Sequence, residues 1–211
     1  MDENLNKKRL KLVDHYFYIE DSFIELTRII PLDNPESTYS PRLYEILQSI
    51  CSNIDGLSII MSDALQLEPE YTTFPFIYEK LNIDGLLDMQ TVDLYKLPGG
   101  KTYTPLTKTG RHNPKWWDDY NDTKHDLPEG LKAGNIGNTP VALAGLFALH
   151  VMAYYIQYSV ENYLNPKYWR IVESIGINSD NREADTGVAY HGPNSKIFLP
   201  LTQYNEMMNF T

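Results

Sequence analysis

Cysteine is nearly absent from this chain. Cys51 stands alone among 211 residues, so no internal disulfide can form, and no Cys/His set has the spacing of a zinc site. Positive charge is also scarce: 18 Lys and Arg stand against 28 Asp and Glu, a formal net charge of −10. That balance argues against broad electrostatic capture of nucleic acid, which needs a basic face. The one tight basic cluster, Lys7-Lys8-Arg9 with Lys11, reads as a solvated helix start. The N-terminus, MDENLNKKRLKLVDHYF, lacks the uninterrupted apolar core and small-residue cleavage site of a signal peptide, and a cytoplasmic location is expected. Long apolar runs are missing too. The most apolar stretch, Thr139 to Ile156, is at the short limit for a bilayer span, carries Gly145 and His150, and continues into polar Gln157-Tyr158-Ser159. It predicts a core helix, with no part in a membrane. There is no internal repeat and no low-complexity tract, and 42% hydrophobic with 22% charged residues is ordinary for a folded domain of this length.

What is present is helical patterning. From Leu5 to Ile30, Leu12, Val13, Tyr16, Phe17, Ile19, Phe23, Ile24, Leu26 and Ile30 recur at three- and four-residue spacing, until Pro31 and Pro35 end the run. A second helix starts at Ser40-Pro41 and runs to about Gln66, with Leu43, Leu47, Ile50, Ile54, Leu57, Met61 and Ala64 forming a narrow seam. Joined by a short loop, the two should lie antiparallel, and Gly56 marks a close crossing or a bend. Phe74 to Leu81 predicts a short helix. Thr91 to Leu97 alternates as a strand does, Pro98-Gly99-Gly100 turns, and Lys101 to Leu106 returns as its partner. A motif helix follows, with Asn113 as N-cap, Pro114 at the first position, and Pro128 and Gly130 closing it; the apolar helix then begins at Asn138-Thr139-Pro140. Beyond Asn165 and Pro166, Tyr168 to Ile175 predicts one more short helix, Gly176 to Gly187 is turn-rich, and Lys196 to Leu201 reads as a short strand or an extended tail. The expected architecture is all-α: a four-to-five-helix up-down bundle over residues 1–165, a β-hairpin inserted at about residues 90–107, and residues 166–211 packed on the bundle as a helix and tail.

The reactive side chains concentrate in the motif helix. A 3.6-residue period puts Trp117, Tyr120, Asn121, Lys124 and His125 on one face, with Asp118 at its edge. A histidine can act as general acid or base near neutrality, and a neighbouring amide or ammonium can hold a phosphate oxygen or steady developing negative charge. The set suits phosphodiester cleavage by attack of a ribose 2′-hydroxyl, although an exposed helical histidine among acids is common. Trp116, Trp117 and Tyr120 can stack on bases, but as a group they predict docking of this helix onto the bundle. Asp14, His15, Glu20 and Asp21 on the first helix either orient His125 or form a solvent face; Arg111 and His112 in the preceding loop can reach the same pocket. His150 reads as a core histidine bonded to a backbone or side-chain partner, His191 as part of a loop, Cys51 as a buried inert thiol, and Gly99-Gly100-Lys101 as a hairpin turn without the strand-to-helix frame of a phosphate loop.

Long helix, long helix, a short helix carrying Trp-Trp-x-x-Tyr-Asn-x-x-Lys-His-Asp, then a capped apolar helix: this order resembles the HEPN superfamily of helical bundles. That superfamily includes metal-independent ribonucleases, toxins and antiviral effectors, together with inactive nucleic-acid- or nucleotide-associated relatives. Its hallmark is an arginine, usually followed by a polar residue, and a histidine four to six residues on. Aligned on the histidine, His125 matches the catalytic residue and Asn121 the polar one, while Tyr120 stands where arginine is expected. Tyrosine lacks the fixed charge and forked donors with which arginine grips phosphate; Lys124 replaces part of that charge. The resemblance covers Leu5 to Tyr163 in architecture and specific residues only from Trp116 to Asp126. It implies an RNA- or nucleotide-directed protein that pairs as a homodimer and needs no metal or cofactor. His125, Asn121 and Lys124 would be catalytic, and Tyr120, Trp117 and Arg111 would contact substrate. The alternatives are a non-catalytic HEPN-like module that binds RNA, a nucleotide or a protein, and a purely structural role for the motif.

Overall fold

Helix start and stop chemistry accounts for most of the architecture in the computed structural model, which describes residues 3–82, 85, 87–88, 91–94, 97–111, 113–161, 195 and 198–201. Among these residues six α-helices dominate: α1 Glu3–Thr27, α2 Pro41–Ala64, α3 Phe74–Leu81, α4 Lys115–Thr123, α5 Leu127–Ala133 and α6 Thr139–Glu161. The expected helix at Tyr168 to Ile175, the turn-rich Gly176 to Gly187, His112 and His191 lie outside the described residues. No helix among the described residues is long and apolar enough to cross a membrane.

The expected seam of α2 is the spine of the fold. Leu43, Leu47, Ile50, Ile54, Leu57, Met61 and Ala64 are all buried, and the helix packs against both α1 and α6. Ser40 caps it, its Oγ accepting from the Leu43 amide at 3.1 Å, and Pro41 occupies the first turn, where a missing N–H costs nothing. At the other end Gln66 takes φ 54°, and the amides of Gln66 and Leu67 donate to Asp63 and Ser62, closing the helix as a Schellman turn. On α1 the residues Val13, Tyr16, Ile19, Phe23 and Leu26 turn inward. Leu12 lies against Gly56 while Tyr18, further along α1, acts on Arg42 near the start of α2, so the pair is antiparallel. A Cβ on Gly56 would stand 3.0 Å from Leu12 Cδ2, which makes the glycine a close crossing. Helix α6 is buried on nearly all sides as far as Ile156, as its composition requires.

The hairpin is shorter than its alternation suggested and gains a third strand. β1 (Thr91–Leu94) pairs with β2 (Thr102–Tyr103), Val92 opposite Tyr103, and on its other edge with β3 (Phe198–Leu201), Val92 opposite Pro200. Both pairings are antiparallel and the order is β2-β1-β3. Pro105, with no amide to donate, follows close behind the end of β2. Of the two readings of Lys196 to Leu201, the strand is present from Phe198. Val92 and Leu94 face the core, and β1 contacts α6.

The motif helix differs most from expectation. Asn113 does not cap it: Pro114 holds the cap position with no side-chain bond, and Asn113 Nδ2 donates instead to Asp118 Oδ1 at 3.0 Å. Helix α4 also stops at Thr123. Asp126 caps a new helix, its carboxylate accepting from the Glu129 amide, and Pro128 sits in that helix's first turn. The proline therefore opens α5 and does not close α4, since a proline is tolerated in a first turn and an aspartate two residues before it supplies the cap. His125 consequently lies in the corner between α4 and α5.

That corner is fixed from behind by close helix contact. Gly134, at the end of α5, lies so near Tyr44 of α2 that a Cβ there would overlap the Tyr44 backbone, and its carbonyl accepts from Ser40 N at 3.3 Å. Gly134→Ala is expected to lower stability by about 1–3 kcal/mol, read from a urea midpoint, because backbone cannot step aside as a side chain can.

Candidate functional site

Helix α4 is seated by its aromatic residues. Trp116 and Trp117 are buried against Phe74 of α3, with ring centroids 5.9 and 4.6 Å away, and meet each other edge to face at 6.0 Å. Trp116 Nε1 donates to Pro105 O at 2.7 Å, so the indole also ties down the segment after β2. On the other flank Asp119 accepts from Asn138 Nδ2 at 2.8 Å and pairs with Lys115. Asn138 in turn starts α6: its carbonyl accepts from Ala142 N at 2.8 Å, while its carboxamide also donates to Ala133 O at 3.1 Å. One asparagine thus joins α4, α5 and α6.

With the helix seated, the predicted residues separate by depth. Trp117 is 4% exposed and belongs to the core, so its ring is not presented for base stacking. Tyr120 is half-buried, 6.2 Å from Trp117 between ring centroids. Desolvation raises its phenol above the ordinary value, reinforced by Cys51, Asp55 and Tyr44 of α2, and it stays uncharged. Asn121 is partly exposed and doubly bonded: its Nδ2 donates to Trp117 O at 3.0 Å and its Oδ1 accepts from Lys124 Nζ at 2.9 Å. Lys124 and His125 are exposed, and His125 makes no hydrogen bond among the described residues. Arg111 reaches α4 from the loop, but it pairs there with Asp122.

An acid and a thiol on α2 were not legible as neighbours of this corner. Burial raises the Asp55 carboxyl, and Lys124 opposes that shift. Cys51, one turn earlier, is fully buried, and desolvation raises its thiol well above the usual range, so the inert reading stands. An acid placed one turn after a cysteine, at the edge of an apolar seam, was the only available signal. The acids of α1 do not orient His125. His15 Nδ1 lies 3.3 Å from Asn53 Nδ2, and buried Glu20 accepts from Tyr16 OH at 2.8 Å and from Ser195.

Comparison with family models, curated proteins and solved structures finds no match for this chain. The chemistry of the corner therefore has to be read from its own residues. Arg111, Lys115 and Lys132 are each ion-paired to a carboxylate of α4 or α5, at Asp122, Asp119 and Glu129. Lys124 makes no such pair among the described residues; its ammonium is held by the neutral Asn121 carboxamide. The corner thus offers one exposed ammonium outside any ion pair among the described residues and, next to it in sequence, one imidazole open to water. Among the described residues no group of three or more His, Cys, Asp or Glu is placed to hold a metal ion.

Proposed function

We propose that this chain is a HEPN-like module that acts on RNA at the α4–α5 corner. The observation that carries this reading is that Lys124 and His125, consecutive in sequence, are both exposed to solvent, with Lys124 steadied by Asn121 and, among the described residues, unpaired with any carboxylate within ion-pair distance. The helix order supports it as well: two long antiparallel helices, the motif helix, then the apolar helix. In this mechanism His125 removes the proton from a ribose 2′-hydroxyl as its oxygen attacks the adjacent phosphorus; the P–O5′ bond breaks, leaving a 2′,3′-cyclic phosphate, and the departing 5′-oxygen takes a proton from water. Lys124 lies against the phosphate oxygens as negative charge grows there, and Asn121 positions the ammonium without touching substrate. By the same resemblance two copies would pair with their corners opposed.

Purified protein is expected to cut labelled RNA in the presence of EDTA, and His125→Ala to slow cutting by roughly 10²–10⁴-fold, the range of general acid–base catalysis. Because His125 is exposed, the variant should melt with the parent, within about 0.5 kcal/mol. Cleavage that survives the substitution would defeat the reading.

A specific observation favours a second reading, RNA or nucleotide binding without turnover. Tyr120 is neutral and half-buried at the position where the superfamily has arginine, and the guanidinium of Arg111 is held by Asp122. Oligonucleotide that raises the melting temperature while remaining intact would select this alternative.

A further inference from the structure

A set of buried polar groups lies where α1, α2 and α6 meet. His150 is completely buried and neither of its ring nitrogens has a hydrogen-bond partner. Asn53 of α2 is also buried; its Nδ2 donates to Leu12 O at 3.0 Å and lies 3.3 Å from His15 Nδ1, but its Oδ1 has no partner. Both side chains turn toward the same two turns of α1. Asn53 touches Leu12 and His15, and the His150 ring packs edge-on against Tyr16 at 5.4 Å between centroids. Arg9 and His15 both act electrostatically on His150, so His15 is a neighbour common to both groups.

Buried polar groups without partners cost about 1–3 kcal/mol each, and native interiors rarely keep two in one place unless something bonds to them. Here the chemistry of the orphans specifies what that is. A neutral imidazole presents one N–H donor and one acceptor nitrogen, and Asn53 Oδ1 is an acceptor. A cation is disfavoured by Arg9 and His15, and an anion by the Asn53 oxygen and the imidazole lone pair. A ligand that donates and accepts with no charge is required, and the smallest is water.

We propose that the α1–α2–α6 junction is an internal hydration site, in which an ordered water accepts from the His150 N–H and donates to Asn53 Oδ1. The water thereby joins α6 to α2 beneath α1. This site is independent of the RNA reading, so neither stands or falls with the other.

An atomic-resolution crystal structure of the native chain is the direct test: density for a water within hydrogen-bond distance of both His150 and Asn53 is expected. Dry contact between the side chains, or density for an ion or a larger molecule, would overturn the proposal. A double-mutant cycle gives an answer in solution. If one water serves both groups, His150→Phe and Asn53→Leu each lower Tm, and the double variant falls short of the summed loss by roughly 2–4 °C. Strictly additive losses, or a Tm that rises in His150→Phe, would show that the two groups do not share a ligand.

Discussion

Acidification from pH 7 to pH 4 is expected to cost the native fold roughly 3 kcal/mol through His150 alone, and His150→Phe to remove that part of the loss. Burial drives the imidazole down to about 3 from an ordinary value of 6.5, helped by the positive charge of Arg9 and by His15. In the unfolded chain the same ring takes a proton below pH 6.5, while in the native chain it stays neutral until about pH 3. Between those values the unfolded state binds more protons, so stability falls as pH falls, and the contribution is complete only above pH 6.5. Asp88 adds a separate acid loss. Burial would raise its carboxyl, but hydrogen bonds from Asn82, the Lys108 amide and Tyr78 outweigh that and hold it below 3.8. Its contribution is therefore lost only as pH drops below 3.8, beneath most of the histidine window. Urea unfolding of parent and variant at several pH values between 4 and 8 separates the two. Parallel curves would mean that His150 charges as readily inside the fold as outside it.

The acid behaviour also shows where sequence patterning stops being informative. Periodicity places His150 inside, because residues on every side of it along Val141 to Ile156 are apolar. Whether the ring has a partner depends on the side chains α1 and α2 bring to it, and no local pattern carries that information. The same distinction separates the rest of the molecule. Both long helices, their antiparallel pairing, the cap at Ser40, the crossing at Gly56 and the docking role of the tryptophans follow from spacing and capping chemistry, which are local. The third strand was only half legible, since Phe198 to Leu201 is apolar throughout, without alternation, and finds its partner more than a hundred residues away at Thr91 to Leu94. At the corner, Asp126-Leu127-Pro128 carries a stop and a start signal together. Read as a stop, it gives one helix with His125 on its face; the folded chain uses it as a start, which turns His125 outward at a corner. Asn121 and Lys124 were correctly brought together because they lie within one helical turn, whereas Asp55 comes from another helix.

Trp117→Ala is expected to be the most damaging single truncation at the site, at about 3–5 kcal/mol, a large share of the 5–15 kcal/mol that holds a typical domain together. The indole fills the space between Phe74, Trp116 and Tyr120, and a 9-residue helix has too little intrinsic stability to stay put when one of its two buried tryptophans is removed. The damage should extend to the chemistry. The carbonyl of Trp117 receives the Asn121 carboxamide, and that carboxamide holds Lys124, so a shift of α4 on Phe74 moves the ammonium directly. Trp117→Phe retains an aromatic ring in the slot and should recover much of the stability, whereas His125→Ala should leave stability unchanged. Thermal melts together with RNA assays distinguish the cases: loss of activity with loss of fold in Trp117→Ala, and loss of activity with fold intact in His125→Ala. A Trp117→Ala chain that melts with the parent would mean that Trp116 and the Asn138–Asp119 bond suffice to seat the helix, and the corner would then owe its geometry to α6 instead of the aromatic cluster.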